Sequence, residues 1–261
     1  MPNERRIALI TGATTGIGWE LTRLFARDGY DLILVARHED SLKRAACALE
    51  NEFQISGMVV AADLSKPNAG REVFERVQAA GLSVHTLVNN AGYGGHGAFL
   101  ESDLQVELDM MQLNMTALTE LTKLFIPGMV EKGSGNILNV ASTAAFQPGP
   151  FMAVYYASKA YVLSFSAAIR EELKDKGINV TTLCPGPTES EFAKRAGMTN
   201  SILFKAGMMS AEKVARLGYE AMQKHRSIIV TGWKNKLLTF SVRLSPRWMT
   251  ASVVRFLQEK V

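Results

Sequence analysis

Residues 7–18 read Ile7-Ala8-Leu9-Ile10-Thr11-Gly12-Ala13-Thr14-Thr15-Gly16-Ile17-Gly18. Four apolar residues run into a glycine-rich turn, and an amphipathic stretch, Trp19–Arg27, follows. The order is strand, loop, helix. Phosphate binding at a helix N-terminus needs bare backbone N–H groups and close approach, and side chains at the glycine positions would block both. The spacing is G-x-x-x-G-x-G rather than G-x-G-x-x-G. No Gly-Lys-Ser/Thr follows, which excludes a P-loop. A turn after the first strand and before the first helix is where doubly wound sheets bind a nucleotide.

The same alternation continues along the chain. Leu32–Val35, Met58–Ala61, Thr86–Val88, Asn136–Val140, Val180–Leu183 and Ile228–Val230 read as further strands, with few charges. Strands so apolar are covered on both faces. Helix-like stretches lie between them, including Ser41–Phe53 and Ala211–Gln223. The expectation is an α/β chain with a mainly parallel seven-stranded sheet and helices on both faces. Two longer helical stretches, 99–131 and 152–175, carry apolar positions on more than one face. Core packing explains most of them; a leftover stripe points to a homodimer or homotetramer contact.

Composition sets the wider bounds. The 261 residues are 47% hydrophobic and 21% charged, which suits one globular domain. The net charge of +4 is unevenly spread. Residues 224–261 hold eight basic residues and one acid, a net +7, which leaves a body of −3. A nucleic-acid partner is not expected from this balance. Cys47 and Cys184 have no partners at metal-ligand spacing, so no metal is expected, and a reduced, cytoplasmic setting is the default. The N-terminal run is too short for a signal peptide, and no segment is long enough for a membrane span.

The second strand ends Val35-Ala36-Arg37-His38. An acid there would accept from an adenosine ribose hydroxyl and favour NAD. Here the acid is missing, and the Arg37 guanidinium suits a ribose 2′-phosphate instead. Thr15 and His38 add donors, so NADP(H) is the expected cofactor.

Tyr155-Tyr156-Ala157-Ser158-Lys159 opens a helical stretch. Tyr155 and Lys159 are i and i+4 and share a face. An ammonium beside a phenol favours the phenolate. Such a pair can exchange a proton with a carbonyl or alcohol oxygen. Tyr156 is three residues from Lys159, so spacing alone does not choose between the tyrosines.

Taken in order, Thr11-Gly12-x-x-x-Gly16-x-Gly18, Asp63-Leu64, Asn89-Asn90-Ala91-Gly92, Asn114, Ser142, Tyr155-x-x-x-Lys159 and Pro185-Gly186-Pro187-Thr188 resemble the short-chain dehydrogenase/reductase family, in its single-domain branch. The resemblance covers residues 6 to about 231. It implies a one-domain Rossmann-type fold and roles for the matched positions. Tyr155 would be the general acid/base, which settles the tyrosine ambiguity. Ser142 would hydrogen-bond the substrate oxygen. Lys159 would lower the Tyr155 pKa and hold the nicotinamide ribose. Asn114 would position a proton-relaying water. Asp63 and Leu64 would meet the adenine, and Asn90, Ala91 and Gly92 would line the cofactor groove with Gly12, Thr14, Thr15, Gly16, Ile17 and Gly18. Pro185, Gly186 and Thr188 would grip the carboxamide end. The implied reaction is hydride transfer between nicotinamide and a carbonyl or alcohol carbon. The alternative is a catalytically idle NADP(H)-binding regulator.

Loops beyond the strand ends carry Tyr93, Phe99, Phe146, Phe151, Met152, Phe192, Met208 and Met209. That wall suits a lipophilic ketone, 3-oxoacyl or steroid-like substrate, with Phe151 and Phe192 as contacts. Segment 189–210 is expected to be a lid. His96, among glycines, is expected to face solvent. The basic extension, 232–261, interleaves aromatic and aliphatic residues with cations and is split by Pro246 into two helix-like pieces. Packing on its own domain is the favoured reading; peripheral contact with an anionic membrane is the second.

Overall fold

The computed structural model describes residues 5–189 and 208–258. Seven strands form one parallel sheet: β1 (Ile7–Thr11), β2 (Asp31–Ala36), β3 (Gly57–Ala61), β4 (Val84–Asn89), β5 (Gly135–Val140), β6 (Ile178–Cys184) and β9 (Ile228–Val230). Two short strands, β7 (Thr188–Glu189) and β8 (Met209–Ser210), pair apart from it. The helices are α1 (Gly16–Arg27), α2 (Glu39–Phe53), α3 (Ala69–Ala79), α4 (Leu104–Met111), α5 (Leu118–Glu131), α6 (Ala153–Leu173), α7 (Ala211–Gln223), α8 (Trp233–Leu244) and α9 (Arg247–Gln258). Each of the seven apolar runs read from the sequence is a strand of the large sheet.

Strand periodicity explains why those runs are apolar throughout. Ala8, Ile10, Leu32, Leu34, Val88, Leu138 and Leu183 pack to one side, against residues of α1, α2 and α7. Leu9, Ile33, Val35, Val60, Leu87, Ile137 and Val180 pack to the other, against α3 and α5. Successive residues alternate faces, and both faces are core. A polar bolt crosses the second layer. Asn89 Nδ2 donates to Asn139 Oδ1 at 2.9 Å and Thr122 Oγ1 at 3.0 Å, and Asn139 Nδ2 donates to Ser166 Oγ at 2.8 Å. Buried amides need such partners.

The strand order is β3-β2-β1-β4-β5-β6-β9. After β3 the chain crosses back past β1 to build the other half. The loops after β1 and β4 therefore diverge, and a crevice opens beyond the carboxyl ends of the strands.

The stretch 99–131 is less uniform than its sequence suggests. A single 3-10 turn, Phe99–Glu101, precedes α4, and a π-helical turn, Gln112–Ala117, separates α4 from α5. One extra residue per turn at that point swings Asn114 inward, where it is buried. Phe99, Leu100, Leu104 and Leu108 remain exposed. The segment expected to form a lid lies mostly outside the described residues, but its two ends are tied together by the β7–β8 pair, Thr188 with Met209 and Glu189 with Ser210. Pro246 does separate two helices, α8 and α9. Among the described residues no helix is long and apolar enough to cross a membrane, and no group of three or more His, Cys, Asp or Glu side chains is placed to hold a metal ion.

Candidate active site

A cleft of about 620 Å³ occupies the crevice. Its wall begins with the glycine loop. Gly12 and Gly16 have φ of 66° and 55°, a backbone that favours glycine. Gly18 has a different reason to lack a side chain. A Cβ there would lie 2.1 Å from the Gly12 carbonyl oxygen and 2.4 Å from Asn90 Nδ2. The first turn of α1 therefore packs directly on the loop's own backbone, and Gly18 sits behind the lining rather than in it. Thr11 and Asn90 fix this loop to the end of β4. Thr11 Oγ1 accepts from the backbone N–H groups of Asn90 and Ala91, each at 3.0 Å, and Asn90 Nδ2 donates to the Thr11 carbonyl at 2.9 Å. Asn90 lines the groove as expected and also braces the loop opposite.

Gly12, Thr14, Thr15, Gly16 and Ile17 line the cleft together with Arg37 and His38 from the end of β2. Arg37 is exposed and available to a ligand. Asp63 and Leu64 follow β3; Asp63 Oδ1 accepts from the Ser65 N–H at 3.1 Å and hydroxyl at 2.7 Å, which sets that turn. Ala91, Gly92, Pro185, Gly186 and Thr188 complete the expected wall.

Ser142 lies two residues past β5 and caps the 3-10 turn Thr143–Phe146, its hydroxyl accepting from the Ala144 N–H at 3.1 Å. Tyr155 lies in the first turn of α6, hydrogen-bonded to Ser142. Tyr156 also lines the cleft, but its hydroxyl accepts from Gln258 Nε2. The two tyrosines, alike on spacing alone, thus differ in their partners. Lys159 is buried one turn below Tyr155, with Nζ 5.8 Å from the ring centre and donating to the Val140 carbonyl at 2.9 Å.

Burial dominates the protonation of this group. It pushes the Tyr155 phenol up to about 12, against a smaller lowering by the Ser142 hydrogen bond. It pulls the Lys159 amine down to about 8. The resemblance implies that Lys159 lowers the phenol below its ordinary value; here burial sets the direction, and the opposing effect comes from Ser142. Cys184, buried near Lys159, is held up at about 12 as an inert thiol.

Asn114 does not line the cleft. Its Nδ2 donates to the Tyr93 carbonyl at 2.9 Å and Ser158 Oγ at 3.0 Å, and its Oδ1 accepts from the Tyr93 N–H at 3.2 Å. A Cβ on Gly92 would lie 3.0 Å from Asn114 Oδ1 and 3.3 Å from Lys159 Nζ. Gly92 therefore keeps open a small space that both polar groups face.

The substrate side departs most from expectation. Tyr93 and Met152 line the cleft, but Phe151 does not; its ring stacks on His96 at 5.9 Å, with Arg255 also 5.9 Å away. Phe99 and Met208 are exposed. Phe192 lies outside the described residues. His96 does not face solvent. It is half-buried, and its Nε2 donates to the Gln258 carbonyl at 3.0 Å. Val254 and Leu257 of α9 line the cleft too, beside Tyr156. The inner side of α9 thus packs on the domain. Nothing in a run of mixed apolar and basic residues announces that two of them reach the site.

This cleft is of the doubly wound, nucleotide-binding class. The sequence description of the short chain dehydrogenases matches residues 6–201. A very-long-chain 3-oxoacyl-CoA reductase of Bos taurus is 32% identical over 193 residues, 72% of this chain and 61% of its own. The chain thus spans about three fifths of that relative. A short-chain dehydrogenase from Sphingobium yanoikuyae, solved in complex with NADPH, superposes with a TM-score of 0.82 at 30% identity, covering 91% of this chain and 94% of that one. A bulky-bulky ketone specific alcohol dehydrogenase from Comamonas testosteroni gives 0.78 at 29%, covering 92% of each. The chain belongs to the short-chain dehydrogenase family.

Proposed function

We propose that the chain binds NADP(H) along the cleft and interconverts the carbonyl and alcohol forms of a lipophilic substrate, with Tyr155 as general acid/base. The observation that carries this reading is the hydrogen-bonded Ser142–Tyr155 pair in the same cleft as the glycine loop and Arg37. The residues fit the cofactor. The loop presents backbone without side chains, and Arg37 offers a guanidinium where an acid would reject a 2′-phosphate. The NADPH complex of the Sphingobium relative supports the same choice.

The bound nicotinamide supplies or takes the hydride. The chain's part is to handle charge on the substrate oxygen. As a carbonyl is reduced, negative charge grows on that oxygen, and the Ser142 and Tyr155 hydroxyls are the donors placed to receive it. A phenol held at about 12 is fully protonated at neutral pH, as a proton donor must be. Lys159, ordinarily protonated below about 8, stabilises the phenolate left behind. Asn114 holds the Tyr93 backbone and faces the space beside Lys159, where a relaying water would sit. Leu113, Met152, Val254 and Leu257 give the wall an apolar character, in keeping with the ketone and 3-oxoacyl names of the relatives. The exposed apolar residues of α4 fit a second copy of the chain, and a homodimer or homotetramer is part of the proposal.

The test is NADPH oxidation over a panel of apolar ketones, aldehydes and 3-oxoacyl thioesters. Tyr155→Phe should lower turnover by at least about 100-fold while NADPH still binds. Retained turnover would overturn the assignment; absence of turnover on the whole panel would favour the idle regulator.

A further inference from the structure

Helix α8 is built inside out. Its buried side is polar. Thr239 is buried, and Asn235 Nδ2 donates to the Thr231 carbonyl at 2.7 Å. The same amide fills the space beside Gly186, where a Cβ would lie 2.2 Å from Asn235 Nδ2. Its outer side is apolar. Trp233, Leu237, Phe240 and Leu244 are 72%, 62%, 58% and 76% exposed. They follow at i, i+4, i+7 and i+11, which is one continuous stripe. Helix α9 carries an outer apolar stripe too, with Met249, Val253 and Phe256 exposed at i, i+4 and i+7.

Cations flank the α8 stripe on both sides. At 100° per residue Lys234 falls on one border, and Lys236 and Arg243 fall on the other. Among the described residues none of the three makes an ion pair, and Lys234 Nζ lies 5.9 Å from the Trp233 ring centre. No Asp or Glu occurs from 221 to 258. An exposed apolar stripe with an aromatic residue and cationic borders is the pattern of a helix lying in a lipid interface. A second copy of the chain would be a poor occupant, since a twofold contact through this face would set cations against cations.

We propose that α8, extended by the outer side of α9, docks this protein on the surface of an anionic phospholipid bilayer. The stripe enters the boundary between headgroups and acyl chains. Lys234, Lys236 and Arg243 sit at the phosphates. Because Val254 and Leu257 on the inner side of α9 line the cleft, the docked face adjoins the wall that meets an apolar ligand. The inference rests on the surface alone and stands whatever reaction the cleft performs.

Co-sedimentation of the full chain with vesicles tests it, using phosphatidylcholine alone and phosphatidylcholine mixed with phosphatidylserine. The expected result is binding to the mixed vesicles only, weakened by salt. Leu237→Asp with Phe240→Asp, and separately Lys236→Glu with Arg243→Glu, should each weaken it roughly tenfold or more. Both variants alter exposed side chains; unchanged circular dichroism and NADPH binding verify their folding. The blue shift of tryptophan emission on vesicle addition should be lost in Trp233→Phe. The proposal is overturned if the wild type stays in the supernatant at low salt, or if folded variants bind as well as it does. It is also overturned if the wild type elutes as an oligomer that the variants split, with no uptake by vesicles; the face is then a contact between copies.

Discussion

Helices α1 and α8 are both twelve residues long, and both carry a stripe at helical spacing. In α1 the stripe is turned inward. Leu21, Phe25 and Ala26 are fully buried, and Phe25 meets Tyr30 and Tyr219 edge-on at 5.1 and 4.9 Å. In α8 the stripe is turned outward, and a threonine and an asparagine face the protein. Periodicity therefore establishes that a helix has two sides and leaves open which one meets the core. That is decided by what the helix must touch. Helix α1 covers an apolar sheet, whereas α8 seats on the polar backbone of the Gly186 and Thr231 loops.

A paired substitution presses hardest on this contrast. Phe25→Ala removes a close-packed ring and should destabilise by about 3–5 kcal/mol. Leu237→Ala should shift stability by no more than about 0.5 kcal/mol, because no packing is lost. Chemical denaturation measures both, and equal losses would break the comparison.

Lys159 sharpens it from the centre of the molecule, as an ionisable group held inside. Its folded pKa of about 8 lies below the ordinary 10.5. Between those values the folded state has released a proton that the unfolded state still holds. Stability therefore carries the full burden below pH 8 and is relieved as the pH rises toward 10.5. The melting temperature of the wild type should climb relative to Lys159→Met across that window. Parallel curves would count against a strained buried amine.

Arg37 is the cleft cation proposed to meet the ribose 2′-phosphate, whereas the bordering cations of α8 lie on an outer face. Arg37→Glu should reduce the preference for NADPH over NADH by roughly 10- to 100-fold, read from the ratio of their dissociation constants. An unchanged ratio would remove Arg37 from that role. The smallest effect is expected at the seat of α8. Asn235→Ala loses one hydrogen bond and should cost about 1 kcal/mol.

Legibility in the sequence follows the same division. All seven strands of the large sheet and the glycine loop were readable, because each depends on neighbours close in the chain. Pro246 marked the break between α8 and α9 for the same reason. The Tyr155–Lys159 pairing was readable from its spacing, but Ser142 joined it only through resemblance to a family, since thirteen residues separate Ser142 from Tyr155. The contacts of Gln258 with Tyr156 and His96 were not readable. They join residues 102 and 162 positions apart, and no local pattern encodes such a meeting. The π turn at Asn114 was hidden too, because one extra residue leaves the apolar spacing around it nearly unchanged.

The strand order also governs how this chain reaches its native state. The two strands flanking β1 are β2 and β4. β2 follows after a single crossover through α1, but β4 comes 73 residues after the end of β1, as Thr11 and Val84 mark. Until β4 arrives, one edge of Ile7–Thr11 presents unpaired backbone and apolar side chains. Closing that gap is a non-local step of the kind that slows parallel sheets and exposes them to self-association. The strand that carries the glycine loop is thus an early element completed late, and refolding yield should fall with protein concentration while that edge is open.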